Sequence, residues 1–344
     1  MKKILMLLLS LVMLVSIVGG CSAPQAPAEN SPSADKESAE APSSEAPAEA
    51  SAEAPADGDK PVIGCTVYYM TEFVTLMAEG IKAEAAEQGA DLVLLDANND
   101  AQMQISQIEN LIAQQVDVIL VAAVDTDAIV PALDLCEEAG IPLVGVNMLI
   151  NTDRPYYYAG PDDVQAGELE MQALIDIIGE EGNIVILDGP IGTSAQLQRA
   201  EGNKNVLAKY PNIKVLAEQP ANWNREEALT LMENWMQAYE GEIDGVVAHN
   251  DEMALGAIQA LEAKGLKDEI PVTGVDAIKD GCQAIKDGRF EATVFQDAEL
   301  EGRLGVQVAM QVLAGTPPEE HLNYIEMKLI TADNVDELLD TIYK

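Results

Sequence analysis

The chain has 344 residues, 59 acidic and 19 basic, for a formal net charge of −40. So acidic a chain repels nucleic acid and anionic membrane surfaces, which makes both poor partners. Two histidines, His249 and His321, and four cysteines without metal spacing leave no histidine-rich catalytic or metal site, no cofactor cradle and no disulfide framework.

In chain order, the first element is a targeting segment. Lys2 and Lys3 precede an apolar run, Ile4 to Val18, and Gly19 and Gly20 precede Cys21. This pattern predicts a secretory signal peptide over 1–20. The Val18-Gly19-Gly20-Cys21 ending looks like a bacterial lipobox, which implies lipidation at Cys21. An ordinary signal with a chance cysteine is the other reading. Residues 21–59 are almost wholly Ala, Pro, Ser, Glu and Asp, with nine acidic side chains against one lysine. They lack apolar periodicity and cannot bury enough surface to offset the entropy of ordering. We read them as a disordered acidic linker between lipid and domain. Cys65, Cys136 and Cys282 then read as small buried hydrophobes.

From Lys60 onward, strand-like runs alternate with amphipathic helices. The first series is Val62–Val67, helix 73–88, Leu92–Leu95, helix 103–114, Val118–Ala122, helix 128–138 and Pro142–Val146. It ends near Tyr158-Ala159-Gly160-Pro161, where a short apolar run meets a Gly-Pro break. The second series is helix 164–178, Asn183–Leu187, helix 195–209, Ile213–Ala217, helix 226–238, Ile243–Ala248, helix 252–264, Val272–Val275, helix 278–286 and Ala292–Phe295. Such alternation predicts an α/β fold of two Rossmann-like lobes with doubly wound parallel sheets. Helix 300–313 follows with no strand left to serve in the second series.

Ligands of such sheets bind outside the carboxyl ends of the strands. Val247-Ala248-His249-Asn250-Asp251-Glu252-Met253-Ala254 closes a strand, crosses a polar tip and opens a helix with acidic residues in its first turn. Asn250 at that tip carries both a donor and an acceptor. Gly192-Thr193-Ser194-Ala195 leads to Arg199, whose fork of donors suits hydroxyl and ring oxygens. Gln219-Pro220-Ala221-Asn222-Trp223-Asn224-Arg225 sets an indole at a loop tip, where its face can cover the C–H face of a sugar. Gly274-Val275-Asp276 ends a strand on a carboxylate, and Gln296 follows Thr293-Val294-Phe295. Each residue has a plainer role open to it: Arg199 as a solvated helix residue, Trp223 as a lid on the local core, Asp276 as a helix cap.

In order and spacing, these motifs resemble the ribose-type, type I periplasmic sugar-binding proteins, over essentially all of 61–331. The resemblance implies that the chain after Gln296 returns to the first lobe and crosses back near Met327–Thr331, making a three-crossover hinge. The lobes are then 60–160 plus 297–327 and 161–296 plus 328–344. It implies ligand contacts from Phe73, Asn147, Arg199, Trp223, Asn250, Asp276 and Gln296, with Tyr69, Thr71 and Met148 as further candidates. His249, beside Asn250, is expected to support the site from behind.

The first lobe departs from the family pattern. Met70-Thr71-Glu72-Phe73-Val74 keeps one aromatic of an Asn-Pro-Phe-Phe-like stretch, and Asn147-Met148 stands where Asp-Arg is usual. An acceptor-only carboxylate has become an amide and a guanidinium is lost, so ribose should bind weakly. Tyr68 and Tyr69 add phenols nearby, and strand alternation should bury one of them.

The resemblance implies a non-enzymatic solute-binding lipoprotein, acting as a monomer. It would capture a sugar or polyol between two lobes and hand it to the permease and ATPase subunits of an ABC importer. The rival roles are a ligand-sensing subunit for a chemoreceptor or sensor kinase, a LacI-type regulator core and a secreted hydrolase. The signal and acidic linker replace the basic helix-turn-helix that a regulator needs. No nucleophile–base pair serves a hydrolase, since Ser194 lacks a Gly-x-Ser-x-Gly elbow and the loop before it lacks a P-loop lysine.

Overall fold

A computed structural model describes residues 60–343. The signal, Cys21 and the acidic linker lie outside the described residues. The first half of the chain alternates as the apolar pattern dictates: β1 (Val62–Val67), α1 (Glu72–Glu87), β2 (Asp91–Asp96), α2 (Ala101–Ala113), β3 (Val118–Val121), α3 (Val130–Ala139), β4 (Leu143–Val146) and β5 (Tyr157–Gly160). The second half runs α4 (Asp163–Ile178), β6 (Glu181–Asp188), α5 (Ser194–Leu207), β7 (Asn212–Pro220), α6 (Arg225–Ala238), β8 (Gly245–Ala248), α7 (Asp251–Lys264), β9 (Val272–Asp276), α8 (Lys279–Lys286) and β10 (Ala292–Phe295). Then come α9 (Ala298–Leu313), β11 (Leu322–Tyr324), β12 (Lys328–Thr331) and α10 (Val335–Thr341).

Two six-stranded sheets result, ordered β11-β5-β4-β3-β1-β2 and β12-β10-β9-β8-β6-β7. The pairings are parallel except β10 with β12. Central strands β3, β4, β8 and β9 are buried along their length, as strands covered by helices on both faces must be. Helix α9 leaves the second sheet and packs on α1, β4 and β5 of the first. The chain crosses between the sheets after β5, after β10 and between β11 and β12. This is a two-lobed, doubly wound α/β architecture.

Three elements escape the sequence pattern. β5 was legible only as an apolar break before Gly-Pro, while β11 and α10 are too short to show a period. The other boundaries differ from the sequence reading by a few residues at either end. Strand β7 runs three residues further, to Pro220, paired against the long β6.

Candidate functional site

The carboxyl ends of β1 and β4 in one sheet and of β6, β8, β9 and β10 in the other converge on one cavity. The space between the lining side chains is about 310 Å³ with its opening to solvent included. Phe73, Thr71, Asn147 and Met148 line it from the first lobe. Arg199, Trp223, Asn250, Asp276 and the connecting Gln296 line it from the other side. The walls are almost wholly withdrawn from solvent, so a ligand held here exchanges water for fixed polar partners.

Tyr69 is the exception among the candidates. It packs half-buried against the first-lobe core, and its neighbour Tyr68 lines the cavity instead. The side chains alternate at the end of β1, so only one phenol can face the cleft. Ala195 also lines the cavity; a small residue in a helix carries no signal that would single it out.

Local structure explains how each group is aimed. Thr71 caps α1, its Oγ1 accepting from the Val74 amide at 3.1 Å, which fixes the first helical turn that carries Phe73. Asn250 caps α7 through its Oδ1, accepting from the Met253 amide at 3.0 Å; this leaves its amide nitrogen to face Asp276 and the cavity. Asp276 is not a helix cap. Helix α8 begins after Ile278 without a side-chain cap, and Asp251 Oδ2 accepts from the Ile278 amide at 3.0 Å, so the Asp276 carboxylate is left to line the cleft. Asn147, Asn222, Trp223 and Asp276 all have positive φ, a clustering of uncommon backbone that marks functional sites.

Arg199 is the hub. Its Nε donates to Asp163 Oδ1 at 2.8 Å, its Nη2 to Gln296 Oε1 at 2.8 Å and its Nη1 to the His249 carbonyl. Asp276 stands 3.9 Å away, and the guanidinium lies 5.6 Å from the Trp223 ring centroid. Burial works against its charge, but Asp163, Asp276 and Glu170 outweigh that and raise its pKa. The role of solvated helix residue is therefore not the one it plays. Burial pushes Asp276 up to about 7, with Arg199 pulling the other way. His249 is sealed beneath the site, its pKa lowered to about 3, mainly by burial and then by Arg199. It stays neutral, with Nε2 3.0 Å from the Asn203 amide. Trp223 Nε1 and Asn147 Oδ1, both on cavity-lining residues, are among eight buried side-chain atoms of the described residues that have no protein partner.

Asp163 and Glu301 support the site but were not singled out in the sequence. Both lie in the first turns of helices, where an acidic residue reads as complementing the helix dipole. Among the described residues, no group of three or more His, Cys, Asp or Glu side chains is placed to hold a metal ion.

A mixed ring of donors and acceptors, capped by an indole and closed between two lobes, defines a binding protein for a small hydroxylated solute. The periplasmic binding protein domain family matches residues 63–317, and the chain belongs to that family. The chain is 42% identical over 292 residues to a xylitol-binding protein of Mycolicibacterium smegmatis, covering 85% of this chain and 83% of that one. It is 35% identical over 243 residues to the ribose import binding protein of Bacillus subtilis, covering 71% and 78%. A solved ABC transporter solute binding protein from Bacillus halodurans with bound myo-inositol superposes with a TM-score of 0.78 at 38% identity, covering 82% of this chain and 98% of that one. The fold is that of the type I periplasmic binding proteins, and the chain is a binding protein rather than an enzyme.

Proposed function

We propose that this protein is a lipid-anchored, extracytoplasmic solute-binding protein that captures a sugar or polyol and delivers it to an ABC importer. The observation that carries the ligand class is the cavity wall. Arg199 and the Asn250 amide supply donors, Asp276 and Asn147 supply acceptors, and the Trp223 and Phe73 rings supply flat apolar faces. A polyhydroxylated ligand offers both kinds of hydrogen-bonding group around an apolar C–H surface. Relatives named for xylitol and ribose, and a structural neighbour holding myo-inositol, support the same class.

In this reading Phe73, Asn147, Arg199, Trp223, Asn250, Asp276 and Gln296 contact the ligand, with Thr71 and Met148 at its edge. The lobes 60–160 plus 297–327 and 161–296 plus 328–344 close on it as a monomer, and the membrane permease reads the closed form. Cys21 carries lipid and 21–59 forms the stalk. A thermal-shift screen against xylitol, myo-inositol, pentoses, hexoses and nucleosides tests the ligand class, since binding to the native state alone raises the melting temperature. A rise with a polyol or sugar is expected; a rise with nucleosides only would contradict it. Detergent phase partitioning tests the anchor. Wild type should enter the detergent phase and Cys21→Ala the aqueous phase; aqueous wild type would remove the lipid.

A further inference from the structure

One cavity residue is oriented by a side chain outside the cavity. Asn147 Nδ2 donates to Glu301 Oε2 at 2.9 Å, with both residues buried. Glu301 belongs to α9, which packs on β4 and β5, so the pair lies within one lobe and does not depend on closure. The Asn147 backbone is pinned as well. Its N–H donates to the Ala159 carbonyl at 2.9 Å, and its carbonyl accepts from the Tyr158 hydroxyl at 2.8 Å. Gln296 is a second hydrogen-bonding neighbour of the Glu301 carboxylate, and its Oε1 is already held by Arg199. The chain of contacts thus runs from Asn147 through Glu301 and Gln296 to Arg199.

An amide presents donors on one side and an acceptor on the other, whereas a carboxylate beside it only accepts. One N–H of Nδ2 goes to Glu301, which fixes which end of the Asn147 amide is oxygen and leaves Oδ1, an atom with no protein partner, as its acceptor. We propose that Glu301 is a specificity-determining positioning residue: it locks the orientation of the Asn147 amide so that Oδ1 serves as a neutral acceptor for a ligand hydroxyl. The amide here then does the hydrogen-bonding work of the carboxylate usual in ribose-type proteins, without adding a charge to a site already holding Asp276 and Asp163. This inference rests on the reading of the cleft as a hydroxyl-binding site.

The test is a double-mutant cycle on the full chain with Asn147→Asp, Glu301→Gln and the pair together. Aspartate also tolerates positive φ, so the single change does not fail for backbone reasons. Burial already holds the Glu301 pKa well above the usual carboxylate range, so Asn147→Asp puts two buried carboxyls together that cannot both ionise, and without ligand it should lower the melting temperature by at least about 3 °C. In the double variant the amide introduced at position 301 can donate to the carboxylate introduced at position 147, so most of that loss should be regained. With myo-inositol and xylitol as probes in titration calorimetry, Asn147→Asp should bind about tenfold more weakly or worse, the scale of one charge-assisted hydrogen bond. The double variant should return to within about threefold of wild type. An Asn147→Asp protein that melts and binds like wild type would overturn the proposal, as would a folded double variant no better than the single in either measurement. Wild type binding neither probe would count against the ligand class, and the melting pattern would then decide the pairing by itself.

Discussion

The Asp163 carboxylate meets the Arg199 guanidinium at 2.8 Å with both side chains almost wholly out of water. Two helices bring them together. α4 carries Asp163 and α5 carries Arg199, and a Cβ at Gly167 of α4 would overlap the Arg199 backbone, so the helices cross at a distance only glycine allows. A buried ion pair gains little over an apolar pair of the same shape, but losing one partner strands the other charge. Asp163 therefore fixes the Arg199 guanidinium at the cavity wall.

Asp163→Ala should destabilise the fold by about 3–5 kcal/mol and weaken ligand binding together, because Arg199 loses its fixed acceptor. Asp163→Asn, which keeps one acceptor oxygen, should lose less of both. Denaturant unfolding and calorimetry on the two variants check this. Wild-type affinity in a folded Asp163→Ala protein would show that Arg199 needs no such support.

Gly189 sits directly against the Trp223 indole, and a Cβ there would overlap the ring. Its φ is ordinary, so alanine imposes no backbone strain. Gly189→Ala should shift the indole, lower ligand affinity about tenfold and change the tryptophan emission, with circular dichroism unaltered. Unchanged affinity would mean that the indole face is not part of the contact.

Asp276 predicts a proton linkage. A ligand hydroxyl donates to the ionised carboxylate and so lowers a pKa that burial has pushed up to about 7. Binding should release a proton near neutral pH, and affinity should rise from about pH 5 to pH 8. Stability runs the other way. The folded pKa lies above the unfolded value of about 3.9, so the Asp276 contribution is complete below that pH and is lost as pH rises through about 7. Calorimetry in buffers of different ionisation heat should detect proton release in wild type and none in Asp276→Asn.

Most of this site was legible because its residues fall at strand ends and loop tips, where fixed spacing after an apolar run betrays them. Asp276 ends a buried strand, Gln296 follows one directly and Asn250 stands two residues beyond one, and Trp223 is an aromatic in an otherwise polar turn. The supporting layer was not legible. Asp163 and Glu301 occupy helix first turns, where acids are ordinary, and only the tertiary packing of α4 on α5 and of α9 on β4 buries them. The cap ambiguity at Asp276 was also beyond sequence. Helix α8 has no side-chain cap, and the Ile278 amide at its start donates to Asp251, 25 positions before Asp276 and on a different helix. β11 carries no period in three residues and exists because β5 offers it an edge.

Met148 gives the ribose prediction. Its Sδ lies 3.6 Å from Ser194 Oγ and brings no charged donor to the place where the related ribose-type pattern has arginine. Loss of a charged hydrogen bond costs about 1.5–3 kcal/mol, roughly tenfold to a hundredfold in affinity. Ribose should bind at least about tenfold more weakly than the best polyol or sugar of the panel. Met148→Arg with Asn147→Asp should raise ribose affinity most when Glu301→Gln is added, since Glu301 otherwise opposes the new carboxylate. Parallel ribose titrations of the variants check this, and submicromolar ribose binding by wild type would refute it.

The central claim is that a hydroxylated solute binds between the lobes on the Arg199–Asp276 wall. The most direct measurement is a calorimetric titration of wild type and Asp276→Ala with the tightest ligand of the screen. We expect one-to-one binding by wild type and a loss of about 2 kcal/mol or more, roughly thirtyfold, in a variant that remains folded. Equal affinity of the two proteins would contradict the account.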